Sequence, residues 1–169
     1  VNGYPIDLNR ILLSFDVTSL STSIGNGTIP DSGKTLKVNL RMYNATDNVV
    51  VLANQSFNLV YESGDGTYSG YMPLASSFTA GNYTAKIRVD NSLYKTVPGI
   101  LAVTSPTGRI VATPIKLVTG DLNGDNYLGT IDWTSMIACV KNESACTASI
   151  RSLADLNDNG GVDELDVQI

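Results

Sequence analysis

Asp121-Leu-Asn-Gly-Asp-Asn-Tyr-Leu-Gly-Thr-Ile-Asp132 and Asp155-Leu-Asn-Asp-Asn-Gly-Gly-Val-Asp-Glu-Leu-Asp166 repeat one another at an offset of 34 residues. A hard divalent cation such as calcium takes six to eight oxygen ligands, and a twelve-residue loop can wrap them round one ion. In the first stretch Asp121, Asn123 and Asp125 stand at positions 1, 3 and 5. Tyr127 offers its main-chain carbonyl at position 7, Gly129 leaves position 9 to a water, and Asp132 closes the loop at position 12. In the second, Asp155, Asn157 and Asn159 take positions 1, 3 and 5, Gly161 gives its carbonyl, Asp163 takes position 9 and Asp166 position 12. One Asx-rich run is an ordinary turn. Two copies in register predict two calcium sites of the EF-hand type, and the cofactor expected is two calcium ions.

The remaining loop positions sharpen this expectation. Position 6 needs a positive φ; it is Gly160 in the second loop and Asn126 in the first, Asn being the best non-glycine tolerance of that region. Position 8 is Leu128 or Val162, the apolar residue expected to tether each loop to its partner. Asp at position 12 is shorter than the bidentate Glu of calcium sensors, which points to a structural site. Carboxylates gathered in each loop repel one another without a cation, so folding and binding are expected to be linked. After the first loop, Trp133, Met136, Ile137 and Val140 form an apolar stripe of helical period, with Asp132 as the expected N-cap and Lys141 and Asn142 at the end. Trp133 is expected to be core. A second short helix is expected over 147–153, with Ile150 and Leu153 turned inward.

Charge divides the chain at about the same place. Residues 1–115 hold seven acids and eight bases, whereas residues 116–169 hold nine acids and three bases. The acidic third repels nucleic acid and attracts divalent cations. The chain has no histidine, which removes imidazole-based triads and imidazole-bound zinc. No run of 18 apolar residues is present, so no helix is expected to enter a membrane. Val1-Asn2-Gly3-Tyr4-Pro5 carries no signal-peptide pattern and reads as the start of a mature or trimmed chain. Cys139 and Cys146 do not match a C-x-x-C motif; they are either a short-loop disulfide or two buried thiols. Asn44, Asn54, Asn82 and Asn142 each begin an N-x-[ST] acceptor pattern.

Upstream of the loops the pattern has period two. Leu13, Phe15 and Val17 alternate with polar residues, as do Leu36, Val38, Leu40 and Met42, and again Tyr83, Ala85, Ile87 and Val89. Further strands are expected over 49–52, 57–61, 68–72 and 100–103. Turn signals separate them at Asn26-Gly27, Asp31-Ser32-Gly33, Asp65-Gly66, Gly81-Asn82 and Asp90-Asn91. About seven short strands with no helical period predict an all-β sandwich of immunoglobulin-like form over 1–105. Ser105-Pro106-Thr107-Gly108 marks a break, and Pro114 makes 106–118 a linker or edge strand.

The order loop, helix, linker, short helix, loop over 119–169 resembles a type I dockerin module. The repeated Asp-x-Asn-x-Asp/Asn, ending in Asp132 and Asp166, carries the resemblance over less than a third of the chain. The sandwich resembles the immunoglobulin-like, X-module-like domains that often precede dockerins, and also macroglobulin-like repeats, through Gly66-Thr67-Tyr68-Ser69-Gly70 and Gly81-Asn82-Tyr83-Thr84. The resemblance implies a small α-helical module whose loops fold on calcium and whose helices bind a cohesin domain. It places partner recognition at loop positions 10 and 11, here Thr130, Ile131, Glu164 and Leu165. These are not the Ser-Thr pairs common in the cellulosomal type I group, so the partner expected is a cohesin-like domain of another kind. Only three residues follow Asp166, so the exiting C-terminal helix that the resemblance implies for the second repeat is not expected within 119–169.

The reading that follows is a non-catalytic, calcium-dependent interaction module, monomeric alone, of a secreted or cell-surface protein. An alternative is a calcium-stiffened structural module with no cohesin partner. A further alternative is a carbohydrate-binding module or enzyme, with Tyr61, Tyr68 and Tyr71 as a sugar platform or Glu62 and Asp65 as paired carboxylates.

Overall fold

The computed structural model describes residues 11–18, 35–62, 67–75, 78–104, 108–142, 144, 146–156 and 159–168. The expected turns at Asn26-Gly27, Asp31-Ser32-Gly33 and Asp65-Gly66, the break at Ser105-Pro106-Thr107, and the candidate ligand Asn157 lie outside these residues, as does the facing of Leu13, Phe15 and Val17.

The described fold is mostly antiparallel β-sheet with two short α-helices. Its strands are β1 (Ile11–Thr18), β2 (Thr35–Asn44), β3 (Val50–Glu62), β4 (Thr67–Pro73), β5 (Gly81–Val89), β6 (Lys95–Thr96), β7 (Leu101–Val103) and β8 (Gly108–Val111). The helices are α1 (Thr130–Lys141) and α2 (Ala148–Ala154), and a 3-10 turn covers Asp166–Gln168. Hydrogen bonding joins the strands in the order β6-β5-β2-β3-β4-β1-β8, with β7 also on β5. Every described pairing is antiparallel except β1 with β8.

Alternation of side chains across the sheet builds the core. β2 sends in Val38, Leu40 and Met42, and β5 sends in Tyr83, Ala85, Ile87 and Val89. Leu59 and Tyr61 of β3 and Tyr68 and Met72 of β4 join the same apolar cluster, with the Tyr61 and Tyr68 ring centroids 5.2 Å apart. Both rings are buried, so the alternative in which they form a surface sugar platform does not hold. Tyr71 is half-buried beneath the Arg109 guanidinium. At Gly70 a side chain would stand 2.8 Å from the Asn58 carbonyl oxygen, so glycine there lets two backbones meet.

Two sequence expectations change. The separate strands over 49–52 and 57–61 are one strand, β3. Leu40 faces Gln55 and Met42 faces Leu52, leaving Ala53 and Asn54 opposite the single residue Arg41. This is a β-bulge, with Asn54 at φ 50°. The extra residue breaks the period-two pattern and imitates a turn between two strands. The segment 106–118 is neither wholly linker nor wholly strand. Its first part is β8 at the end of the strand order, and Ala112, Ile115 and Leu117 beyond it are buried in the main cluster.

A second, smaller cluster lies in the C-terminal third: Leu122, Met136, Ala154 and Leu156, with Leu153, Val162 and Val167 packed on it. A disulfide joins Cys139 of α1 to Cys146 ahead of α2. The Thr147 hydroxyl caps α2 by accepting from the Ile150 N–H. Ile150 and Leu153 are half-buried, and Ala154 is the fully buried residue of that helix.

Ile87→Ala should cost about 2–5 kcal/mol, as large-to-small changes in a packed core do. The exposed Ile100→Ala should stay within about 0.5 kcal/mol of the parent; urea denaturation of both variants checks the contrast. Replacing Cys139 and Cys146 together by Ser should lower stability by up to about 2.5 kcal/mol, the chain entropy of an eight-residue loop. Equal urea midpoints of parent and double variant would contradict that figure.

Candidate metal centre

The candidate ligands fall into two loops closed by the same internal hydrogen bonds. At position 6 the N–H donates to a position-1 carboxylate oxygen: Asn126 to Asp121 at 2.9 Å, Gly160 to Asp155 at 2.9 Å. At position 7 it donates to the side-chain oxygen of position 5: Tyr127 to Asp125 at 2.8 Å, Gly161 to Asn159 at 3.0 Å. Two N–H groups, from positions 2 and 9, converge on each position-12 carboxylate. Leu122 and Gly129 donate to Asp132 at 2.8 and 2.9 Å; Leu156 and Asp163 donate to Asp166 at 2.7 and 2.9 Å. The offset repeat in the sequence is thus a repeat in backbone path. Position 6 takes positive φ in both loops, 66° at Asn126 and 92° at Gly160, and Gly124 at position 4 of the first loop lies at 75°.

These bonds let carboxylates lie where water does not reach. Asp121, Asp132 and Asp166 are the described acidic residues that are buried. Burial, the largest influence on Asp132, pushes its pKa up, but N–H groups of Gly129, Asn123, Leu122 and Asp132 itself together hold it below the ordinary carboxylate value. Asp125, by contrast, is exposed, its second oxygen accepting from the Asn123 amide at 2.9 Å. At Gly129 a Cβ would come within 3.0 Å of the Tyr127 ring, so the empty side-chain slot at position 9 is where that ring stands. Asp163, its counterpart, accepts from the Leu165 N–H and from the Asn159 amide.

Several expectations about the surrounding residues need correction. Asp132 is not the N-cap of α1. Gly129 is, and Asp132 sits at N3, reaching back to the Gly129 N–H. That shift sets the buried line of α1 as Asp132, Met136 and Cys139. Trp133, one residue and about 100° further round the helix, is therefore 55% exposed and not core. Leu128 is exposed and outside the small cluster; Val162 packs on it. Thr130, Ile131 and Glu164 are exposed and Leu165 is half-buried. Tyr127, Leu128, Ile131 and Trp133 together give the first loop and the start of α1 an exposed apolar rim.

The sheet reaches the first loop, which sequence reading missed. The Asn126 amide oxygen accepts from the Tyr94 N–H at 2.6 Å. The Asn91 carbonyl accepts from the Gly120 and Asp121 N–H groups at 2.8 and 3.1 Å, and its side-chain amide donates to the Leu153 carbonyl at 3.0 Å. Arg88 stands 3.7 Å from an Asp121 carboxylate oxygen and donates to the Gly124 carbonyl at 3.3 Å. Asn91, half of the Asp90-Asn91 turn signal, carried no hint of this second role.

Among the described residues no three Asp, Glu, His or Cys side chains gather as a metal cluster. Asn amides and main-chain carbonyls are the other candidate donors of each loop. The set is all oxygen, with no nitrogen or sulfur, and that chemistry fits calcium. Among the described residues no helix is long and apolar enough to cross a membrane. No protein-family model matches the chain, and no curated protein sequence matches it.

Because the Asp132 pKa is lowered on folding, its contribution to stability is present above the unfolded value of about 4 and is lost as pH falls through the lower folded one. In calcium-free buffer at pH 7, Asp132→Asn should be less stable by about 1–3 kcal/mol, since backbone donors lose their acceptor. The gap should narrow below about pH 4; denaturant midpoints measured from pH 7 to pH 2 test this, and a gap independent of pH would contradict it.

Proposed function

We propose that the chain is a non-catalytic, calcium-dependent protein-interaction module: an immunoglobulin-like β-sandwich followed by a dockerin-like unit over 119–169. The observation that carries the reading is the hydrogen-bond scheme shared by the two loops, position for position, at an offset of 34 residues. Unrelated Asx turns would have no reason to agree at four donors each.

In this reading Asp121, Asn123, Asp125, the Tyr127 carbonyl and Asp132 hold one calcium ion. Asp155, Asn157, Asn159, the Gly161 carbonyl, Asp163 and Asp166 hold another. Calcium supplies positive charge to loops that are rich in carboxylates, and so favours the folded loops. The exposed rim of Thr130, Ile131 and Trp133 faces a cohesin-like partner, with Glu164 and Leu165 at the matching positions of the second loop. Aromatic and aliphatic side chains on a charged background suit such an anchor. The parent protein is secreted or held at the cell surface, where a disulfide persists.

A second reading is a calcium-stiffened junction with no partner, favoured by the contacts of Arg88, Asn91 and Tyr94 with the first loop. Titration calorimetry with calcium chloride should find two ions per wild-type chain and one in each of Asp121→Ala and Asp155→Ala, with the first site intact when the second is removed. A stoichiometry of zero in wild type would overturn the calcium reading. Capture of candidate cohesins, with and without chelator, separates docking from stiffening: calcium-dependent capture supports docking, and capture that survives chelation would sink the calcium-dependent mechanism.

A further inference from the structure

Asp121 is 0% exposed, so no bulk water solvates its carboxylate. Two N–H groups, from Gly124 and Asn126, satisfy part of it without supplying a formal charge. The charge comes from the sheet. Arg88 leaves β5 on the face opposite the core and extends to 3.7 Å from the Asp121 Oδ2. Its guanidinium lies 4.9 Å from the Tyr94 ring centroid, and Arg41 lies 4.5 Å from the same centroid. Arg41 is in turn held by its Nε–H on the Asn54 amide oxygen at 2.8 Å.

Arg88 makes charge and ring contacts but few hydrogen bonds. Its Nε is buried with no hydrogen-bond partner. Its other polar contact, to the Gly124 carbonyl, is long at 3.3 Å. The loop cannot drift from this neighbour, because Tyr94 and Asn91 fasten Asn126, Gly120 and Asp121 to the sheet.

We infer that Arg88 is an internal competitor for the first calcium site, a monovalent cation that neutralises Asp121 when calcium is absent and opposes the ion when it arrives. The inference rests on the calcium reading of the first loop. Its physical basis is that one buried carboxylate serves two cations. Even at the dielectric of water, a guanidinium roughly 6 Å from a divalent ion weakens its binding by about tenfold. The contact with Asp121 is common to the metal-free and metal-bound loop, so the loss of affinity comes from the repulsion between guanidinium and ion. The sheet thereby sets the calcium concentration at which the first loop fills.

The test uses the full chain carrying Asp155→Ala, so that only the first loop titrates. Arg88→Gln keeps a polar, uncharged head; Arg88→Met keeps an unbranched stem to pack on Tyr94; both remove the charge. Calcium titration calorimetry should give a Kd about tenfold lower in each variant than in the Arg88 parent. Thermal melts should show a wider gap between calcium and chelator in the variants, because calcium binds them more tightly. If one variant fails to fold, the other carries the measurement. A Kd unchanged or higher in the folded variants, with the Arg88 parent still binding one ion, overturns the role of Arg88 and leaves the calcium reading standing. Flat titrations in every chain, the Arg88 parent included, overturn the calcium reading and this inference with it.

Discussion

Side chains leave a strand alternately to either side, and both ends of this structure depend on how β5 uses its two faces. On one face Tyr83, Ala85, Ile87 and Val89 are buried against β2, β3 and β4. On the other, Lys86 stands over Tyr43 and Arg88 over Tyr94, and Arg88 continues to the first loop. A slip of one residue in the β2–β5 register would put Arg88 into the core and remove the counter-charge of Asp121 together. The pairing of Leu40 with Ile87 therefore governs packing and loop electrostatics at once.

The turn after β5 turns that register into a junction. Ser92 is buried, and its hydroxyl accepts from the Val89 N–H at 2.9 Å, which closes the turn tightly. Asn91 on one side and Tyr94 on the other then present main-chain and side-chain groups to the loop and to the end of α2. An isolated bridge between Ser92 and Thr119 ties the incoming chain to the same turn. The acidic third of the chain meets the sheet where a basic residue waits for it, so the uneven charge along the sequence becomes local complementarity at the contact.

Inside each loop the organising groups are carboxylates at positions 1 and 12. Main-chain donors converge on them, and a carboxylate accepting several such bonds can remain ionised even when buried. These donors give the loops their path. A cation is what would offset the remaining negative charge, and the sheet provides one to the first loop through Arg88. Position 6 shows the same link from the other side. Asn126 tolerates positive φ less easily than glycine, but its amide oxygen receives the Tyr94 N–H, a bond glycine has no side chain to make.

The sequence by itself determined the β-rich first part, the two short helices after it, the two loops and the positive φ at position 6. All of these follow from local rules: period-two alternation, period-3.6 stripes, and the chemistry of Asp, Asn and Gly at fixed spacings. The loops were the most legible part, because the candidate ligand positions of each loop lie within twelve residues of one another. Only the tertiary structure decided the rest. The bulge at Ala53 and Asn54 joins what reads as two strands, since pairing with β2 outweighs the broken alternation. Trp133 faces out because Asp132 turns the helix to bring its own carboxylate under the loop. The Arg88–Asp121 contact spans 33 residues and two kinds of structure. Nothing local marks either residue as the other's partner; the β2–β5 register and the turn at Ser92 bring them together.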